Sequence, residues 1–385
     1  MSRTDGATTK AELLERVDAL LPSIVERAPI VEQQRRPHDD SIRELAEAGV
    51  FQALVPRCHG GHELELSTIT EIVQRVSSAC MSTGWVTAFY IGHNWMMMKM
   101  PERAQQDVFA ERPFGMIPIQ PSPFVTSKEV PGGYEISGRS SFSSGIMNAD
   151  WVIIVQAGAD DSRAFLVPAD EVEVDDVWHM SGMAGTGSND VIVNELFVPE
   201  HRAMLAGELF TTTATNQPNP LYAIPLLPFI FCEVLGVYSG GLAGVTALYD
   251  EYVRSKVMTY GGEALAGKQT SHVNLGDAHA RSIAVNMLVE RQVADTWDLA
   301  QRRAFDVDKR IDLKLRACFI SDSCRDGMNT IMSRVGTRNF ALAHPMQRFF
   351  RDMNTITSHA FLDWEIAREL YGRQRLGLEP NHPLF

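Results

Sequence analysis

The chain has 385 residues, 45% of them hydrophobic and 22% charged, a composition that can bury a large core in two or three domains. Its formal net charge of −13 argues against nucleic acid and anionic membrane as partners, since both demand a concentrated basic face, and favours small neutral or weakly charged ligands. Five cysteines, odd in number and without CxxC or Cys/His ligand spacing, predict reduced thiols in a cytoplasmic protein, with no disulfide framework and no metal site.

The opening MSRTDGATTKAELLERV lacks an apolar signal core. Apolar residues at Leu13, Leu14, Val17, Leu20, Leu21 and Ile24 predict a helix over Lys10 to Arg27, and a second runs from about Asp40 to Phe51. Thr68 and Glu71 stand at the spacing of a capping box for a helix through Cys80. Ser82 to Met100 predicts a helix rich in aromatic and Met side chains, and PERAQQD a short one after it. Between Phe114 and Asn194 the period changes to two. Trp151 to Gln156, Ala164 to Val167 and Val191 to Val198 alternate apolar and polar residues between Gly, Asn, Asp and Pro clusters, the pattern of short antiparallel strands.

After Pro199 long helices return, over Ile230 to Tyr260, His272 to Gln301, Ile311 to Arg334 and Met346 to Arg373, as in a four-helix bundle. The expected architecture is α+β: an N-terminal helical domain (1–112), a central small β barrel (113–203) and a C-terminal bundle (204–385). The most apolar stretch, Leu221 to Cys232, is interrupted by Pro225 and Pro228, so no membrane span is expected, and TTTATNQPNP (Thr211 to Pro220) is the one expected flexible loop.

No GxGxxG follows a strand, and P-loop, HExxH and nucleophile-elbow motifs are absent, which assigns any NAD(P)H chemistry to another protein. Two loops are dense in glycine and small hydroxyl residues, Ser143, Ser144 and Gly145 in one and Gly185, Thr186, Gly187 and Ser188 in the other. Such loops let N–H groups and hydroxyls approach a flat polar ligand, a flavin edge or a phosphate. Trp85, Phe89, His93 and Met96 fall on one helix, where they could line an apolar pocket for an aromatic substrate or equally pack as core.

The order SGRSSFSSG with Ala149, Asp150 and Trp151, then GMAGTGSND, then VPEHR, resembles the middle domain of the acyl-CoA dehydrogenase superfamily, and the resemblance covers nearly the whole chain. More narrowly, FSSG, the upstream STGW and GHNW, and the tail HPMQRFFRD resemble the group D flavin-dependent monooxygenases of that fold, the oxygenase halves of two-component systems. That resemblance implies reduced flavin, FADH2 before FMNH2, delivered by a separate NAD(P)H:flavin reductase. It further implies O2 as co-substrate, a flavin hydroperoxide at carbon 4a, a homotetramer, and oxygenation of a small aromatic compound, indole first and a phenol second.

Residue by residue, the resemblance places Ser143 on the threonine of the dehydrogenase Trp-Ile-Thr motif, at flavin nitrogen 5, with Ser144 as the alternative. Phe142, Gly185, Thr186 and Ser188 line the same cofactor. Arg254, with Tyr260, Gly261 and Gly262, resembles a segment that contacts the cofactor's phosphates across a subunit boundary; a surface Arg at a helix end is the plain alternative. Counting from Arg351 and Asp352 brings the dehydrogenase glutamate to Ser358, His359 and Ala360, where the imidazole of His359, with an ordinary pKa of about 6.5, would hold or protonate the peroxide near neutral pH. Its plain alternative is a packed helix residue. His93 is implied to orient the substrate's polar group; otherwise it packs among Trp85, Phe89, Trp95 and Met96. The other base position known in dehydrogenases lands on Pro228, with Glu233 the nearest acid, more than a turn further on. Two other readings stay open here: an acyl-CoA dehydrogenase with an atypical base, and a non-catalytic flavin-fold binding protein.

Overall fold

A computed structural model describes residues 8–122, 124–156, 161–211, 217–258, 261–382 and 384–385. Five helices open it: α1 (Lys10–Gln34), α2 (Asp39–Glu47), α3 (Ser67–Ala79), α4 (Met81–Met96) and α5 (Glu102–Phe109). α1 starts at a capping box of Thr9 and Glu12 and continues through Pro22 and Pro29, past the expected end at Arg27. Both prolines lie on its exposed face, where the carbonyls they leave unbonded can reach water. The capping box expected at Thr68 and Glu71 does not form. α3 begins at Ser67, so Thr68 lies inside the helix with its hydroxyl buried and unpartnered, and Glu71 pairs with Lys10 at 2.5 Å instead.

The middle of the chain holds β1 (Ile119–Ser122), β2 (Val125–Val130), β3 (Gly133–Ser143), β4 (Trp151–Gln156), β5 (Arg163–Pro168), β6 (Glu173–Asp175), β7 (Asn189–Pro199) and β8 (Ala203–Leu205). They form two four-stranded sheets, β1-β4-β5-β8 and β2-β3-β7-β6, antiparallel throughout except for the parallel pair β1 and β4. Val152, Ile154, Phe165, Val167, Val191 and Val193 fill a separate core within this unit. The β3–β7 register shifts between Ser140 and Ser143, where Phe142 takes a left-handed φ of 69°. That irregularity bends the end of β3 so that Ser144 and Gly145 meet α4.

Helices then return as α6 (Ala206–Thr211), α7 (Leu226–Ser255), α8 (Gln269–Arg302), α9 (Val307–Met332), α10 (Pro345–Ile356) and α11 (Trp364–Arg375). α7 is the central rod. At Gly236, Gly240 and Gly244 an added Cβ would fall 2.5, 2.3 and 2.5 Å from the carbonyl oxygens of Thr70, Gln74 and Ser78 on α3, so the glycines permit this close approach. α7 is long and apolar enough to cross a membrane, yet 94% of its most apolar window is buried inside the fold. Pro228, expected to interrupt the apolar run, sits in the first turn of α7, where its missing N–H has no helical partner to lose. Of the expected Thr211 to Pro220 loop, residues 212–216 lie outside the described residues; Thr211 ends α6 and Pro220 opens a short 3-10 turn.

The single helix expected over Met346 to Arg373 is in fact two. Thr357 bonds back to Met353 O at 3.0 Å, His359 caps a short 3-10 turn, and Asp363 caps α11 by accepting from Ile366 N–H at 2.9 Å. His359 therefore stands in a connection between helices, and this turns its ring toward α4.

Candidate active site

The end of β3 brings the two hydroxyl loops together beside α4. Trp85 Nε1–H donates to Ser144 Oγ at 3.2 Å, Ser144 and Ser188 hydroxyls are 2.7 Å apart, Ser188 and Thr186 hydroxyls 2.6 Å, and Thr186 Oγ1 donates to Met183 O at 2.8 Å. Each hydroxyl owns one hydrogen, which fixes the direction of the chain. Thr186 spends its hydrogen on Met183, so Ser188 must donate to Thr186 and Ser144 to Ser188. Ser143 stands outside this chain: fully buried, paired with Asn189 in the ladder, its hydroxyl has no partner among the described residues. Tyr90 O–H, donating to Gly145 O at 2.5 Å, ties the same turn to α4.

α4 carries a row of rings. His359 meets Trp85 edge-on at 5.3 Å between centroids, Trp85 lies 4.7 Å from Phe89, and Phe89 stacks on His93 at 4.8 Å. Trp85 and His93 are about 12 Å apart along the helix, so the two histidines mark opposite ends of one aromatic wall. Phe89 is the one α4 residue not buried. Met96 is buried on the same stripe. His93 Nδ1–H donates to Ile117 O at 2.5 Å, which fixes the tautomer and leaves Nε2 as the acceptor nitrogen. Burial pushes His93 down to about 4, so the ring is neutral. The same cause pushes His359 down to about 4, well below the ordinary value expected from sequence. In the ligand-free chain His359 is therefore a neutral hydrogen-bonding group and does not exchange protons near pH 7.

A family model described as acyl-CoA dehydrogenase, C-terminal domain, matches residues 236–364. Along its whole length the chain is 36% identical to a pigment production hydroxylase of Rhodococcus sp., covering 98% of this chain and 99% of that protein. It is 30% identical to the oxygenase component of an FADH2-dependent resorcinol hydroxylase of Rhizobium sp., over 91% and 90% of the two chains. XiaF from Streptomyces sp., solved with FADH2 and glycerol, superposes with a TM-score of 0.91 at 27% identity and 97% coverage of both chains. The chain belongs to the flavin-dependent monooxygenases of the acyl-CoA dehydrogenase fold. It is the oxygenase component of a two-component aromatic monooxygenase, and uses reduced flavin and O2 with a separate reductase.

The orphaned hydroxyl of Ser143 fits such a cofactor, since a buried polar group without a partner is costly unless a ligand completes it. Other residues expected along the cofactor fare differently. Thr186 and Ser188 already spend their hydrogens on each other's chain. Gly185 packs inward, where a Cβ would fall 2.2 Å from Val31 of α1. Phe142 is 68% exposed and meets Trp178 edge-on at 6.0 Å. Arg254 is exposed at the far end of α7, roughly 25 Å along that helix from the level of Trp85, so one chain alone does not bring it to the serines. Tyr260 lies outside the described residues.

Sequence reasoning missed Trp178, whose Nε1–H donates to Met183 O at 2.9 Å, and the clamp on the second hydroxyl loop. Asp352 accepts from Met183 N–H at 2.5 Å, while Arg351 binds Ser181 O and Glu32. The Arg-Asp pair used only as a counting mark is thus what holds that loop. Burial raises Asp352 to about 6.

Proposed function

We propose that the oxygenase acts on a small neutral aromatic compound, indole first and a simple phenol second. The observation that carries this reading is His93, whose Nδ1–H is committed to Ile117 O and whose Nε2 is left to accept an N–H or O–H from a substrate lying against Phe89. Its neutrality suits a neutral partner. Bound reduced flavin supplies the activation of O2. Ser143 offers its free hydroxyl at nitrogen 5, the fixed Trp85–Ser144–Ser188–Thr186 chain keeps the adjoining turn rigid, and Phe142 with Trp178 forms an aromatic border for the ring system. His359, at the other end of the ring row, hydrogen-bonds at the reacting end and, with Trp85, helps exclude water.

FAD is the favoured flavin, as the FADH2-dependent relative and the FADH2 complex of XiaF suggest. Five free cysteines accord with a cytoplasmic setting. A homotetramer would cover Val273, Ile283 and Met287, an exposed apolar stripe on α8, and would let Arg254 of one copy reach the cofactor of another. The deciding experiment supplies the protein with a flavin reductase, NADH and indole, and looks for blue pigment. Reduced-flavin-dependent O2 uptake without any aromatic product from indole or phenol would refute the substrate assignment.

A further inference from the structure

Glu233 on α7 is 1% exposed, its Oε1 has no hydrogen-bond partner, and no ion pair to it occurs among the described residues. Its carboxyl lies directly over Gly92 of α4, where an added Cβ would fall 2.0 Å from Oε1. One turn earlier on α7, Phe229 stacks flat on Trp95 at 3.6 Å, which anchors the two helices at this level. At about 100° per residue, Gly92 sits only about 20° around α4 from Trp85, about 40° from Met96 and about 60° from Phe89, and it precedes His93 directly. The missing side chain at Gly92 thus leaves room for an acid at the border of the aromatic wall.

Packing alone does not account for this arrangement. A carboxyl buried without a partner is costly, whereas Leu in the same place would fill the space at no such cost. We propose that Glu233 is a specificity-determining residue: together with His93 it binds a second polar substituent of the substrate, so that the preferred substrates are uncharged aromatics with two polar groups, of which indole and phenol are one-group truncations. Burial holds the Glu233 carboxyl well above the usual carboxylate range, so it offers both an O–H donor and a carbonyl acceptor to a hydroxyl or carbonyl. The inference rests on the aromatic-substrate reading above.

The test titrates the full-length protein calorimetrically with phenol, the three benzenediols and benzoate, then measures KM and kcat with reductase present. In the wild type at least one diol should bind about tenfold more tightly than phenol. Glu233→Leu should lower diol affinity about tenfold more than phenol affinity, and Glu233→Gln, which keeps a donor and an acceptor, should restore most of it. Equal affinity of wild type for phenol and every diol, or an equal effect of Glu233→Leu on both, overturns the proposal even if oxygenation proceeds. Selective diol binding lost in the Leu variant, with no aromatic product from any probe, would instead uphold Glu233 and sink the substrate reading on which it is built.

Discussion

Replacing Ser143 and Ser144 separately by Ala should have opposite effects on stability. Ser144 accepts from Trp85 Nε1–H at 3.2 Å and donates to Ser188 at 2.7 Å, all three groups being buried. Ser144→Ala therefore strands a buried donor and takes the hydrogen from Ser188 Oγ. At about 1–3 kcal/mol for a stranded buried group, the loss should total about 2–4 kcal/mol. Ser143→Ala removes a fully buried hydroxyl that bonds to nothing in the flavin-free chain, so the variant should be as stable as wild type or gain up to about 1 kcal/mol. In turnover the order reverses in kind. Ser143→Ala should keep flavin binding but release more hydrogen peroxide per product, because one hydrogen bond of about 1 kcal/mol at the cofactor is gone. Thermal and urea unfolding of the flavin-free proteins, paired with product-to-peroxide ratios, read both effects. Ser143→Ala destabilised as much as Ser144→Ala would show that Ser143 has a protein partner and is not reserved for the cofactor, and an unchanged ratio would move the nitrogen 5 contact to Ser144.

Three further outcomes follow from the same geometry. His359→Ala should cut oxygenation on the order of 100-fold with fold and assembly intact, as the loss of one preorganised hydrogen bond at a reacting centre does, measured by stopped-flow mixing of the reduced-flavin complex with O2 and by product analysis; wild-type rates would make it a packing residue. His93, held near 4 against an ordinary 6.5, refuses a proton that the unfolded chain accepts, so it removes up to about 3 kcal/mol of stability as pH falls from about 6.5 to about 4. His93→Gln should flatten that acid loss in urea melts. Asp352, raised to about 6 from 3.8, has the opposite sign: its contribution is present below 3.8 and lost as pH rises through 6, so Asp352→Asn should steepen the loss of stability between pH 6 and pH 4.

Local patterns made most elements legible. The strand expected over Trp151 to Gln156 matches β4 in its bounds, though Val152 to Val155 are all buried rather than alternating, and three of the four long helical stretches after Pro199 exist as single helices. Failures cluster where a local rule has two readings. The Thr68–Glu71 spacing looks like a cap, but the capping position is fixed by where the helix begins, and Lys10, distant in sequence, takes Glu71. Residues 357–363 read as helix because Thr, Ser, His and Asp are tolerated there; only their side-chain bonds to nearby backbone reveal the break. The site was legible as a set of residue types and not as a network. Trp85 and Ser144 are 59 residues apart and Ser144 and Ser188 44 apart, pairings that no periodicity encodes.

The same geometry argues against acyl-CoA dehydrogenation by this chain. Abstracting a proton next to a thioester requires a carboxylate that is both placed and ionised. At the position that the family resemblance proposes for one base stands His359, carried out of the helix by a break and turned onto Trp85, its basicity lowered by burial. Near the other base position that the resemblance proposes it has Pro228 in the first turn of α7, and the nearest acid, Glu233, lies against Gly92, where burial raises it well above the usual carboxylate range. A protonated acid can donate and accept hydrogen bonds but is far too weak a base to remove a carbon-bound proton. Restoring a glutamate at 359 alone should therefore create no dehydrogenase: the new carboxylate would face Trp85 and Phe361, its own ionisation opposed by the burial that already keeps the imidazole neutral. Anaerobic mixing of flavin-loaded His359→Glu protein with an acyl-CoA should leave the flavin oxidised, and bleaching would show that this pocket admits a thioester after all.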